Sequence, residues 1–71
     1  MKETRQERFK RLATYRTNAL LEKLRILGNL SNRANYDYSE EEIKKIFRAL
    51  EEQLKITRLK FAFKNKREFK L

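Results

Sequence analysis

The sequence predicts an all-α protein whose two amphipathic helices fold back on each other as an antiparallel hairpin. The chain has no Pro and a single Gly among its 71 residues, and this composition favours long uninterrupted helices. Apolar residues recur at helical spacing in two separate runs. A polar segment of about ten residues separates the runs, which allows the chain to reverse direction between them.

The first run predicts a helix over residues 3–27. Its apolar residues follow one another at steps of 4, 7, 4 and 3, which places them on one side of a helix. Gly28 comes next, at the place where a glycine in the left-handed conformation commonly ends a helix. The stripe consists of Phe9, Ala13, Leu20, Leu24 and Leu27.

The second run predicts a helix over residues 40–62. Ser39 and Glu42 have the spacing of a capping box, in which each side chain bonds to the backbone of the other residue. Beyond this helix the sequence has no sustained period, so we expect residues 64–71 to form a frayed basic tail after a helical domain of residues 1–63. The apolar stripe of the second helix consists of Ile43, Phe47, Leu50, Leu54, Thr57 and Phe61.

The connector, residues 28–38, has two interpretations. Asparagine tolerates turn conformations, so the segment is explained as a connector that wraps the end of the hairpin. The alternative is a recognition loop for a protein partner, in which amide, tyrosine and arginine side chains make the contacts. The candidate partner-binding residues are Asn32, Arg33, Asn35 and Tyr36.

A single hairpin cannot cover both apolar stripes, because each stripe is broadened by further apolar residues. We therefore expect a homodimer that forms a four-helix bundle. The candidates for the face between the two copies are Leu21, Ile26, Ile46, Ala49, Ile56 and Leu59.

The net charge of +9 predicts an acidic partner. Residues 1–16 hold six basic and two acidic residues and residues 53–71 hold seven and one, whereas residues 17–52 hold six and seven. A hairpin would bring the two basic segments to one end, so we expect that end to bind the phosphate backbone of DNA or RNA, in an accessory or regulatory role. The candidate nucleic-acid-binding residues are Arg5, Arg8, Lys10, Arg11, Lys55, Arg58, Lys60, Lys64 and Arg67.

The same charge leaves two other kinds of partner open. A protein–protein interaction module, such as an assembly factor or an inhibitor, would dock on an acidic protein. A peripheral membrane protein would use the basic and aromatic tail at an anionic lipid surface.

Several function classes are disfavoured by what the sequence lacks. There is no His and no Cys, which removes the usual bases and nucleophiles and the usual zinc ligands. We therefore expect neither an enzyme nor a cofactor nor a metal site. No apolar run approaches the roughly 18 residues of a membrane span, and the first residues do not resemble a signal peptide, so we expect a cytoplasmic protein.

The segment LGNLSNRANYDYSEEEIKKIF, residues 27–47, resembles the core of small uncharacterised bacterial proteins, some of which are associated with mobile elements. The resemblance extends over about residues 17–61 and excludes the two basic ends. It implies no particular fold, activity or site residue.

Overall fold

A computed structural model describes residues 2–66 of the chain, with side chains described as far as residue 62. It consists of helix α1, Arg5–Gly28, a single 3-10 turn, Asn29–Ser31, and helix α2, Glu40–Lys66. The described residues contain no strand, and the all-α prediction is confirmed. The chain divides into two compact units, residues 1–37 and residues 38–71, each with one α-helix.

Helix α1 begins two residues later than the sequence analysis predicted, because Thr4 caps it. The Thr4 hydroxyl accepts a hydrogen bond from the Glu7 backbone N–H at 3.0 Å, and the Glu7 carboxylate accepts one from the Thr4 backbone N–H at 2.9 Å. This reciprocal pair is a capping box, and it satisfies two backbone N–H groups that a helix leaves without partners at its start. The Thr-x-x-Glu pattern at residues 4–7 was therefore a start signal that the sequence analysis missed.

The expected left-handed glycine stop at the end of α1 was wrong. Gly28 is the last residue of the helix, with φ −62° and ψ −23°, and the chain continues into the 3-10 turn. The helical conformation ends at Asn32 instead, where ψ rises to 101°. The Asn32 side-chain oxygen accepts from the Ala34 backbone N–H at 3.0 Å, and its carbonyl oxygen accepts from the N–H groups of Asn35 and Tyr36. An asparagine that bonds the backbone two residues ahead replaces helical bonds with a local turn, so Asn32 makes the glycine conformation unnecessary.

Helix α2 begins at Glu40, as the sequence predicts. The Ser39 hydroxyl accepts from the Glu42 backbone N–H at 3.1 Å, and the Glu42 carboxylate accepts from the Ser39 backbone N–H at 2.9 Å. Tyr38 and Ile43, the residues that flank this capping box, are both half-buried, as in a hydrophobic staple. The predicted capping box is confirmed.

Helix α2 extends further than predicted, through Lys66 rather than only to about residue 62. Residues 64–66, predicted as the start of a frayed tail, therefore belong to the helix, and residues 67–71 of that tail lie outside the described residues. No Pro or Gly interrupts the segment, and lysines near a helix C-terminus interact favourably with the helix dipole. Loss of apolar periodicity alone did not end the helix.

The apolar stripes of both helices are exposed. No described residue is buried, and the half-buried residues, such as Leu12, Ala13 and Leu27 in α1, are few. Leu20 is 65% exposed and Leu54 is 68% exposed. Among the described residues, no helix is long and apolar enough to cross a membrane.

Candidate nucleic-acid interface

The candidate basic residues lie at the start of α1 and in the second half of α2. Arg5, Arg8, Lys10 and Arg11 occupy the first two turns of α1 and are exposed. Three candidates on α2 have described side chains, and all three are exposed: Lys55, Arg58 and Lys60. Lys64 lies within the α2 backbone, with its side chain outside the described part, and Arg67 lies outside the described residues.

The first-turn position of Arg5 and Arg8 is unfavourable for the helix itself. The N-terminus of a helix carries the positive end of the helix dipole, which favours acidic side chains and disfavours basic ones by about 0.3–1 kcal/mol each. The first turn of α2 follows this rule, with Glu40, Glu41 and Glu42. Helix stability therefore explains the acidic start of α2 but gives no reason for the basic start of α1.

All three carboxylates of α1 and its N-terminal lead are bound within their own unit. Glu3 accepts from Nε and Nη2 of Arg11 at 2.7 and 3.0 Å. Glu7 accepts from the Thr4 backbone N–H, and Glu22 makes a two-bond ion pair with Arg25. None of these carboxylates makes an ion pair with Arg5, Arg8 or Lys10.

The two ion pairs shift the pKa values of their members. Hydrogen bonds from Arg11 lower the pKa of Glu3, partial desolvation opposes this shift, and the charge of Arg11 adds to it. A hydrogen bond from Arg25 likewise lowers the pKa of Glu22. The guanidinium groups of Arg11 and Arg25 have raised pKa values for the reciprocal reason. Both pairs are solvent-exposed, so water and salt screen them.

Most of the candidate basic side chains remain uncompensated. Within the described part of the chain, Arg5, Arg8 and Lys10 make no ion pair, whereas Arg11 is committed to Glu3. Helical spacing does not predict the pair between Glu3 and Arg11, because side chains eight residues apart do not meet on a helix. The pair forms because Glu3 precedes the helix, where the chain is not helical.

The basic part of α2 is uncompensated too. Lys55, Arg58 and Lys60 make no ion pair with any described side chain, although Glu51 has the helical spacing to approach Lys55. These side chains are more than one turn before Lys66, the last described residue of α2, so the dipole at the helix C-terminus has little effect on them. Their charge is available to an external anion.

The four candidate loop residues differ in their roles. The Asn32 side chain is committed to the turn that follows α1. Asn35, Arg33 and Tyr36 are exposed, and Tyr36 keeps 47% of its surface in solvent. The loop therefore combines Asn32, which holds the turn, with three exposed side chains.

The described residues contain no cluster of three or more His, Asp or Glu side chains that could hold a metal ion. No protein-family model, no curated protein and no solved structure matches this chain.

Proposed function

We propose that this chain is a small nucleic-acid-binding protein, an accessory or regulatory factor that acts in the cytoplasm. It binds the phosphate backbone through the basic residues of α1 and α2. The observation that supports this function is that the acidic side chains of α1 have partners within their unit, whereas most of its candidate basic side chains have none among the described residues. The carboxylates of α1 are occupied within the unit, whereas Arg5, Arg8 and Lys10 make no ion pair among the described residues.

The proposed architecture is an antiparallel hairpin of α1 and α2 that dimerises into a four-helix bundle. Its support is the exposure of the apolar stripes, in which Leu20, Leu24 and Leu54 are between 46% and 68% exposed. Covering these stripes with the partner helix and a second copy would remove their apolar surface from water. The hairpin would also bring both basic segments to one end, where their potentials add.

The direct test is fluorescence anisotropy with a labelled duplex DNA and a structured RNA, each over a series of salt concentrations. Neutralising several phosphates releases their counterions, so we expect the logarithm of the affinity to fall linearly with the logarithm of the salt concentration. A slope equivalent to several phosphates supports the function. Binding that is absent even at low salt rejects it.

A charge-matched pair of variants tests where the nucleic acid binds. The double substitution Arg8→Glu and Arg58→Glu should lower the affinity at least ten-fold, because it removes two basic groups from the interface and introduces acidic groups that repel phosphates. The control is Lys23→Glu with Lys45→Glu, which changes the net charge equally at exposed positions outside the basic segments. Equal losses in the two variants would show only a general charge effect and reject the assigned residues.

A protein-binding function is the second candidate, with Tyr36 as the observation that favours it. An aromatic side chain that keeps 47% of its surface exposed beside an ordered turn can serve as an interface anchor. If the chain binds no nucleic acid, Tyr36→Ala and Asn35→Ala should abolish its biological activity while far-UV circular dichroism stays unchanged.

A further inference from the structure

We infer that one side of α1 reads base edges in the major groove of duplex DNA. This inference rests on the proposed function and specifies its ligand. The residues concerned, which we name the outer stripe, are Arg8, Arg11, Tyr15 and Asn18.

The outer stripe lies on the side of α1 away from its apolar stripe. Its residues follow one another at steps of 3, 4 and 3, so they share one helical face. At 3.6 residues per turn, the centres of the two stripes are about 160° apart around the helix axis. A second helix could therefore cover the apolar stripe while the outer stripe still faced a nucleic acid.

Tyr15 is the residue on this face that has no structural explanation. It is 72% exposed, the highest value among the large hydrophobic residues of the described chain. Its position between Arg11 and Asn18 places a flat aromatic ring among polar groups. Such a residue adds little to a core but can contact a thymine methyl group or a sugar–phosphate edge.

The chemistry of the outer stripe fits the donors and acceptors of the major groove. An arginine can donate two hydrogen bonds to guanine, and an asparagine can bond twice to adenine. Arg8 and Asn18 are exposed and have these two capacities. They are ten residues apart, about 15 Å along the helix, which corresponds to roughly four base pairs of B-form DNA.

Internal ion pairs remove the acidic charge that would oppose this contact. Arg11 carries a two-bond ion pair to Glu3, and Glu22, the next residue along the face, is paired with Arg25. Arg11 therefore neutralises a carboxylate, while Arg8 and Asn18 remain for the bases.

The corresponding side of α2 is less suitable. Opposite its apolar stripe, helical spacing places acidic, basic and apolar side chains together: Glu41, Lys45, Arg48, Glu52 and Leu59. Glu41 and Glu52 make no ion pair among the described side chains, and their charge weakens the attraction of this side for phosphates, so α1 is the proposed reading helix. The basic side chains of α2 then contact the backbone.

Duplex DNA is favoured over duplex RNA because of groove geometry. The major groove of B-form DNA, about 12 Å wide, admits an α-helix, whereas that of A-form RNA is too deep and narrow for side chains to read. A helix that recognises bases from its outer face therefore requires DNA.

The test is a binding selection from a pool of duplex DNA with ten random central base pairs, followed by sequencing of the bound fraction. We expect an enriched element of four or five base pairs for the unchanged protein. Asn18→Ala should reduce the preference at one A·T position about ten-fold, because it removes one bidentate contact. Arg58→Gln should weaken binding to all sequences and leave the element unchanged.

Two further measurements make the result decisive. Tyr15→Ala should reduce the enrichment of the element over other sequences. Thr14→Ala, at an exposed neighbouring position outside the stripe, should leave this enrichment unchanged. Far-UV circular dichroism checks that helix content is kept, as expected because alanine has the highest helix propensity. A duplex RNA of the enriched sequence should bind more weakly and without preference.

Salt-dependent DNA binding without an enriched element would overturn this inference and leave the proposed function standing. An element that Asn18→Ala does not change, or an equal preference on duplex RNA, would also overturn it. Absence of any nucleic-acid binding would instead reject the proposed function itself.

Discussion

The ion pair between Glu3 and Arg11 ties the N-terminal lead to α1 and determines which arginines remain free. Its two hydrogen bonds, at 2.7 and 3.0 Å, join the carboxylate to one edge of the guanidinium group. This planar two-bond geometry is specific to arginine and would be lost with lysine. The different roles proposed for Arg8 and Arg11 follow from this single contact.

We predict that the Glu3 carboxyl group titrates below its ordinary pKa of 4.5. Because the folded-state pKa is lowered, the pair contributes to stability above pH 4.5, and this contribution is lost as the pH falls through the lower folded-state value. An NMR titration of the Glu3 side-chain carboxyl carbon measures the midpoint. In Arg11→Gln the midpoint should move back towards 4.5, and an unchanged midpoint would contradict the assigned cause.

The Thr4 cap predicts that Thr4→Ala destabilises the start of α1. Loss of the hydroxyl leaves the Glu7 backbone N–H without its partner and typically costs about 1 kcal/mol. The change is measured as reduced helix content and as faster amide exchange in the first turn. Thr14→Ala, at an exposed position within the helix, is the matched control and should preserve or raise helix content.

Within α1, the helical conformation of Gly28 gives a prediction opposite to that of a left-handed glycine. A Cβ atom added at Gly28 would meet no atom within 4 Å, and its φ of −62° is readily adopted by alanine. Gly28→Ala should therefore stabilise the end of α1 by about 0.5–1 kcal/mol. The measurement is the thermal unfolding curve followed at 222 nm.

The control for Gly28 is Asn32→Ala, which removes the side-chain acceptor of the turn. It should destabilise the segment by about 1 kcal/mol, because the Ala34 backbone N–H loses its partner. If Gly28→Ala were instead destabilising, Gly28 rather than Asn32 would terminate the helix.

For the assembled protein, we predict a dimer that depends on the apolar stripes. Ile46→Lys with Ile56→Lys, on the face proposed between the two copies, should weaken self-association about 500-fold or more, because the burial of each isoleucine side chain contributes roughly 2 kcal/mol. Sedimentation velocity over a range of concentrations measures the change. Thr14→Lys with Glu52→Lys, at exposed positions outside both stripes, should leave the dimer intact. A chain that is monomeric at every concentration would contradict the proposed bundle.

The sequence by itself determined the features that depend on local interactions. The apolar stripes predicted both helices, and the Ser39 capping box placed the start of α2 correctly. These signals are readable because their partners lie within four residues along the chain. The same reading could have found the Thr4 capping box. The candidate basic residues were predicted from composition and position alone, and their role stays a prediction.

Only the tertiary structure decided which of several competing local options was used. At the end of α1, both Gly28 and Asn32 could stop the helix, and the hydrogen bonds accepted by Asn32 placed the turn there. At its start, the non-helical lead brought Glu3 to Arg11 across eight residues, a contact that helical spacing does not predict. This contact engages Arg11, whereas Arg8 makes no ion pair among the described residues, so Arg8 and Asn18 are the groups of the outer stripe proposed to contact bases. Such choices depend on where the backbone leaves the helix, and this is set by the balance of all hydrogen bonds rather than by any one residue.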